Sequence, residues 1–175
     1  IHQGFRVCGG RVVAVGTRER VTPQDYADGI TPRTAALVFF LGAQAREDLP
    51  ELVAIARRHQ VPVIVDAAAQ LPPRANLTEL TAMGADLVVF SGGKGLFGPQ
   101  SSGLILGRTD LVAACALNSN PYSAIGRGMK VGKEEIAGLL AAVELFMEQD
   151  EEAVIRRWEE RCHAIAAAVQ GVAGI

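Results

Sequence analysis

The sequence predicts an α/β fold, a mostly parallel sheet with flanking helices that ends in a long helix. Three observations carry this expectation. Apolar runs of strand length recur at 34–41, 61–65 and 87–90. Segments with apolar residues at helical spacing alternate with them, at 49–59 and 77–83, and that alternation builds a parallel sheet with helical crossovers. The chain has 175 residues and is 49% hydrophobic, ample for one core.

Taken in order, Arg11 to Gly16 (Arg-Val-Val-Ala-Val-Gly) is expected to be a strand. Thr22 is placed as an N-cap with Pro23 at the first helical position, opening a short helix to Gly29. Thr34 to Leu41 is the next buried strand. Leu49 to His59 is an amphipathic helix, with Leu49, Leu52, Val53, Ile55 and Ala56 on one face and Arg57 and Arg58 at its negative end. Val61 to Val65 is a strand that ends in Asp66, and Leu77 to Met83 a helix capped by Asn76 and stopped by Gly84. Leu87 to Phe90 and Ser102 to Leu106 are strands. The loop between these two is too short for a helical crossover, so the last strand is expected antiparallel.

Thr109 to Leu117 is a helix, and 118–133 a loop rich in Asn, Ser, Pro and Gly. Helical spacing then runs from Glu134 to Val169 in two stripes, with Gln149-Asp150 as the point where it can break or bend. A helix of that length suggests a connector. Residues 1–133 are accordingly expected to be part of one large domain, and 134–175 the connecting helix and the start of a smaller one. Opening on Ile1 and breaking off after Gly171, the sequence has the character of a fragment cut at both ends.

A formal net charge of −2 leaves no basic footprint for nucleic acid. Charged residues make up 21% of the chain, against disorder, and no apolar run reaches membrane-spanning length. Cys8, Cys115 and Cys162 are odd in number and far apart, which fits a reducing compartment. With no signal-peptide pattern at the start, a cytoplasmic location is expected. No Cys/His cluster has metal-ligand spacing.

The chemistry concentrates between Asp86 and Leu106, where Lys94 stands among Gly92, Gly93, Gly95 and Gly98. Gly93-x-Gly95-x-x-Gly98 is no dinucleotide fingerprint, because Pro99 and a strand follow instead of a helix. Lys94 is followed by Gly95, not Ser or Thr, so no Walker A loop is present. A solvated lysine on a hairpin is the plain alternative. Yet Asp66 and Lys94 each follow the C-terminal end of a strand, and the two strands and the helix between them form one βαβ unit. Ligands in such sheets bind beyond the strands' carboxyl ends. An acid and a lysine there suit pyridoxal phosphate: the lysine forms a Schiff base with the aldehyde and the carboxylate keeps the ring nitrogen protonated. Ser91 can donate to the cofactor phosphate, and Ala67, Ala68 and Ala69 leave room for the ring. A structural Asp/Lys pair is the competing reading.

The stretches Val65-Asp66-Ala67-Ala68-Ala69-Gln70-Leu71-Pro72-Pro73, Ser91-Gly92-Gly93-Lys94, Gly98-Pro99-Gln100 and Ile125-Gly126-Arg127-Gly128-Met129-Lys130-Val131-Gly132-Lys133 resemble the selenocysteine synthase-like group of fold-type I pyridoxal phosphate enzymes. Within that group the likeness is greatest to D-glucosaminate-6-phosphate ammonia-lyase-like proteins. The resemblance implies part of the aspartate aminotransferase-like large domain and pyridoxal 5'-phosphate as cofactor. It also implies Lys94 as the Schiff-base lysine and Asp66 as the partner of the pyridine nitrogen. Ser91, Ala68 and Gln70 become cofactor contacts, although many such enzymes carry His or Gln where this chain has Ala69. The family's phosphate loop is expected upstream of Ile1. Arg127 and Lys130, with Lys133, precede a helix N-terminus and are candidates for binding a substrate phosphate or carboxylate; a solvated basic loop is the alternative.

The implied activity is β-elimination of ammonia from an amino sugar acid phosphate, in a homodimer or higher oligomer with no nucleic-acid or membrane partner. The alternatives are an L-seryl-tRNA selenium transferase-like or other transferase, and a catalytically silent dimerisation domain.

Overall fold

The computed structural model describes residues 2–172, apart from the side chain of His2. The chain opens with a short helix, α1 (His2–Val7). Residues 11–16, expected as a strand, form none. Their valines favour extended backbone, but a strand needs a hydrogen-bonded neighbour, and here only Val15 reaches the core. Next comes α2 (Pro23–Gly29), closed at its start by a reciprocal box: the Thr22 hydroxyl accepts from the Asp25 amide and the Asp25 carboxylate accepts from the Thr22 amide.

Then follow β1 (Leu37–Phe40), α3 (Leu49–Arg58), β2 (Val63–Asp66), α4 (Asn76–Ala82), β3 (Leu87–Ser91) and β4 (Gly103–Gly107). Gly84, at φ 103°, ends the α4 turn in the left-handed region that glycine enters freely. Asn76 is not the cap it was expected to be. The backbone before it is already helical, so its side chain turns inward and is 3% exposed. There its amide donates to the Gln70 carbonyl at 2.7 Å and its oxygen accepts from the Arg46 guanidinium.

The strands lie in the order β1-β2-β3-β4; the first two pairings are parallel and β3 with β4 is antiparallel, as the short loop required. Register places Phe39, Val65, Val88 and Leu106 in one row on one face. That face joins Leu49, Leu52 and Val53 of α3 and Leu80 of α4 in the core. Each such large side chain removed from water contributes about 1.5–3 kcal/mol. The row on the opposite face is Phe40, Asp66, Val89 and Ile105, where Phe40, Asp66 and Val89 are half-buried and Ile105 is exposed.

After β4 comes α5 (Thr109–Leu117), then a 3-10 turn at Ile125–Met129. The long helical stretch is two helices, α6 (Lys133–Glu148) and α7 (Glu151–Val169). They part at Gln149-Asp150, where the Asp150 carboxylate caps α7 by accepting from the Ala153 amide at 3.0 Å. Ala142 and Phe146 anchor α6, whereas α7 buries no residue. No described helix is long and apolar enough to cross a membrane.

Candidate active site

Asp66 is the last residue of β2 and Ser91 the last of β3. Asp66 is level with Val89, and Ser91 lies further along the same face of β3, so both side chains stand on the face opposite the core. Past the strand ends the two chains stay joined. The Ala67 amide donates to the Val89 carbonyl at 3.0 Å and the Ser91 amide to the Ala68 carbonyl at 3.4 Å. The Ala68 amide in turn donates to Asp66 Oδ1 at 3.1 Å. Ala68 therefore orients the carboxylate and links it to Ser91. That backbone N–H occupies Oδ1 and leaves the other carboxylate oxygen for a partner.

Lys94 follows on the loop between β3 and β4, with its side chain exposed and in no ion pair among the described residues. Its carbonyl accepts from the Phe97 amide at 2.9 Å, which closes a turn. The turn is built from beneath. The Gly98 amide donates to the Gly92 carbonyl at 2.8 Å, and the Gly92 amide to the Ser102 carbonyl at 2.9 Å. Ser102 is buried, and its hydroxyl donates to the Pro99 carbonyl at 2.6 Å. Gly95 lies directly on the loop after β2: a Cβ there would stand 2.0 Å from the Leu71 carbonyl oxygen. The Asp66 loop and the Lys94 loop are in contact at one edge of the sheet.

Gln70 is turned toward β1, its amide donating to the Leu41 carbonyl at 3.1 Å. It ties the loop after β2 to the loop after β1. Arg127 and Lys130 are exposed in and just after the 3-10 turn, the Arg127 guanidinium donating to the Pro121 carbonyl. No hydrogen bond or ion pair among the described residues brings them to Asp66, Ser91 or Lys94. The first turn of α6 beside them carries Glu134 and Glu135, which already complement the positive helix end.

Asp25 is held below the ordinary range by its hydrogen bond with Thr22. Asp110 is held low by the Arg108 guanidinium, which also pairs with Asp86 at the opposite edge of the sheet.

Sequence reasoning missed the buried Ser102, the Ala68 bridge and the inward role of Asn76. Small and polar residues beside the Lys94 glycines were the available signal for the first two.

This edge of the sheet carries an anchored carboxylate, a hydroxyl and, on the adjoining loop, an exposed amine in no ion pair among the described residues. That donor set fits a pyridine nitrogen, a phosphate and an aldehyde.

A family model described as SelA: L-seryl-tRNA selenium transferase matches residues 4–158. The 5'-C-glycyluridine monooxygenase-decarboxylase of a Streptomyces species is 44% identical over 95% of this chain and 41% of the relative. The D-glucosaminate-6-phosphate ammonia lyase of Salmonella typhimurium is 34% identical over 83% of this chain and 38% of the relative. A solved structure of D-glucosaminate-6-phosphate ammonia-lyase superposes with a TM-score of 0.69 at 34% identity, covering 81% of this chain and 37% of that one. The chain thus spans about two fifths of the length of the curated relatives it matches, at 41% and 38%.

Proposed function

This chain belongs to the L-seryl-tRNA selenium transferase family, and on that premise we propose that it is the lysine-bearing part of a pyridoxal phosphate-dependent enzyme. The observation that carries the reading is the contact of the Asp66 and Lys94 loops at one sheet edge, through Ala68–Ser91 and Gly95–Leu71. When bound, pyridoxal phosphate supplies an aldehyde for an amine and a ring that accepts electrons from the substrate's α-carbon.

The chain's own residues provide the rest. Asp66, its carboxylate oriented by the Ala68 amide, would face the ring nitrogen and keep it protonated. Ser91 would offer its hydroxyl to the phosphate. Lys94, through its Nζ amine, would hold the cofactor and would serve as the general base toward the substrate's α-proton.

The substrate class follows from what the family and relatives share in their names. Seryl, glycyl and glucosaminate groups are all α-amino acid units, each carried on a larger polar body. We therefore assign this protein an α-amino acid of that kind. Elimination of ammonia from an amino sugar acid phosphate is the leading reaction, supported by the 0.69 superposition. Arg127 and Lys130 serve there as contacts for the acidic group, presented across an interface with another subunit. A second reading, chemistry on a glycyl group borne by a nucleoside, is favoured by the 44% identity over nearly the whole chain.

The test uses the full-length protein. Pyridoxal phosphate is added, the mixture is reduced with borohydride, and modified lysines are mapped by mass spectrometry. A pyridoxyl group confined to Lys94 and absent in Lys94→Ala is expected. Scattered labelling, or none, overturns the reading and leaves a catalytically silent domain. Turnover of glucosaminate 6-phosphate, glycyluridine and seryl-tRNA then separates the reactions.

A further inference from the structure

The corner where α6 meets α7 touches both loops that carry the candidate site. Arg74, on the loop after Asp66, donates its guanidinium to the Gln149 carbonyl and its backbone amide to the Glu151 carboxylate at 2.5 Å. Phe97, which closes the turn on Lys94, places its ring 6.3 Å from that of Trp158 in α7, tilted by 53°. The backbone of Phe97 lies at φ 55°, in the left-handed region where a bulky side chain is strained and glycine is not. Its side chain is 73% exposed, so burial in the core does not explain a phenyl ring there. Phe97 lines two clefts, one of about 340 Å³ toward α6 and one of about 170 Å³ toward α7. Its one aromatic neighbour among the described residues is Trp158.

We propose that Phe97 is a positioning residue for Lys94. Its ring, seated on Trp158, fixes the turn from which the lysine projects, so that α7 sets the reach of the Lys94 amine toward Asp66. The Arg74 contacts at the same corner hold the Asp66 loop to the same helix, so the two halves of the site share one support. This inference rests on the reading of Lys94 as the cofactor lysine.

The experiment compares full-length protein with Phe97→Gly, Phe97→Tyr and Trp158→Ala. Glycine relieves the backbone and removes the ring, tyrosine keeps the ring, and Trp158→Ala removes its partner from a helix that buries no residue. The first readout is the rate of reductive pyridoxyl labelling at Lys94. The second, without cofactor, is amide hydrogen exchange across residues 92–98. Labelling is expected to slow on the order of tenfold in Phe97→Gly and Trp158→Ala, because small misplacements of a reacting group are costly. Exchange should rise in the same two variants, and Phe97→Tyr should match the unaltered protein in both.

Equal rates and equal exchange in all four proteins overturn the positioning role while leaving the lysine assignment intact. Should Phe97→Gly fail to fold, Trp158→Ala decides alone. Absence of Lys94 labelling in the unaltered protein overturns the cofactor reading and this inference with it.

Discussion

Gly95→Ala tests the contact on which the site depends. The added methyl carbon would lie 2.0 Å from the Leu71 carbonyl oxygen and 2.7 Å from its carbon, whereas real contacts begin near 3.0 Å. Both obstructing atoms are backbone, so no side chain can swing aside, and the two loops must part by about 1 Å. Overpacking of this kind costs about 1–3 kcal/mol. A displacement of about 1 Å at a reacting group costs on the order of a hundredfold in rate. Full-length Gly95→Ala is therefore expected to lose stability in urea titration and to label at Lys94 on the order of a hundredfold more slowly. Gly128→Ala is the control, since nothing stands within 4 Å of a Cβ there. Labelling of Gly95→Ala at the unaltered rate, with an unchanged urea midpoint, would refute the claim that the Asp66 and Lys94 loops are packed against one another.

Other outcomes follow from the core, the first capped helix and one buried phenol. Leu80→Ala empties a fully buried position between α4 and the sheet and is expected to cost about 2–5 kcal/mol by urea unfolding. Thr22→Ala removes half of the box at the start of α2 and should cost about 1 kcal/mol, with faster amide exchange confined to that helix. Burial raises the Tyr26 phenol above its ordinary 10.0, and its hydroxyl donates to the Val38 carbonyl at 2.8 Å. Because the folded value is the higher, the neutral phenol's stabilisation is complete below pH 10.0 and is lost as pH rises through the folded value. Tyr26→Phe should flatten the fall in unfolding midpoint above that pH; an unchanged slope would assign the alkaline loss to another group.

The sheet was legible because buried parallel strands read as unbroken apolar runs, and β1, β2 and β3 are such runs. The 11–16 segment has the same composition but lacks a partner, and composition does not reveal partners. Asn76 misled for a related reason: a capping residue must itself lie outside the helical backbone, and here Asn76 is already inside the helix, after a helical Ala75. The break at Gln149-Asp150 was readable from Asp150, whose short acidic side chain suits an N-cap. That Asp66 and Lys94 come to one sheet edge was legible from their places at the end of β2 and just after β3. Arg74, Phe97 and Trp158 were not, because their contacts arise only when α6 and α7 are laid back across the loops.

The strand order of the sheet is the order of the chain, and this bears on how the molecule assembles. Each strand pairs with the one next in sequence, so every closure spans a single crossover or a single hairpin, and loop entropy stays small at each step. Among sheet topologies this is the one with the shortest closures, although each parallel pairing still spans a whole helical crossover. β3 can dock on β2 as soon as α4 has formed, and β4 then folds back on β3. The two loops that carry Asp66 and Lys94 stand side by side because they follow adjacent strands of this sheet.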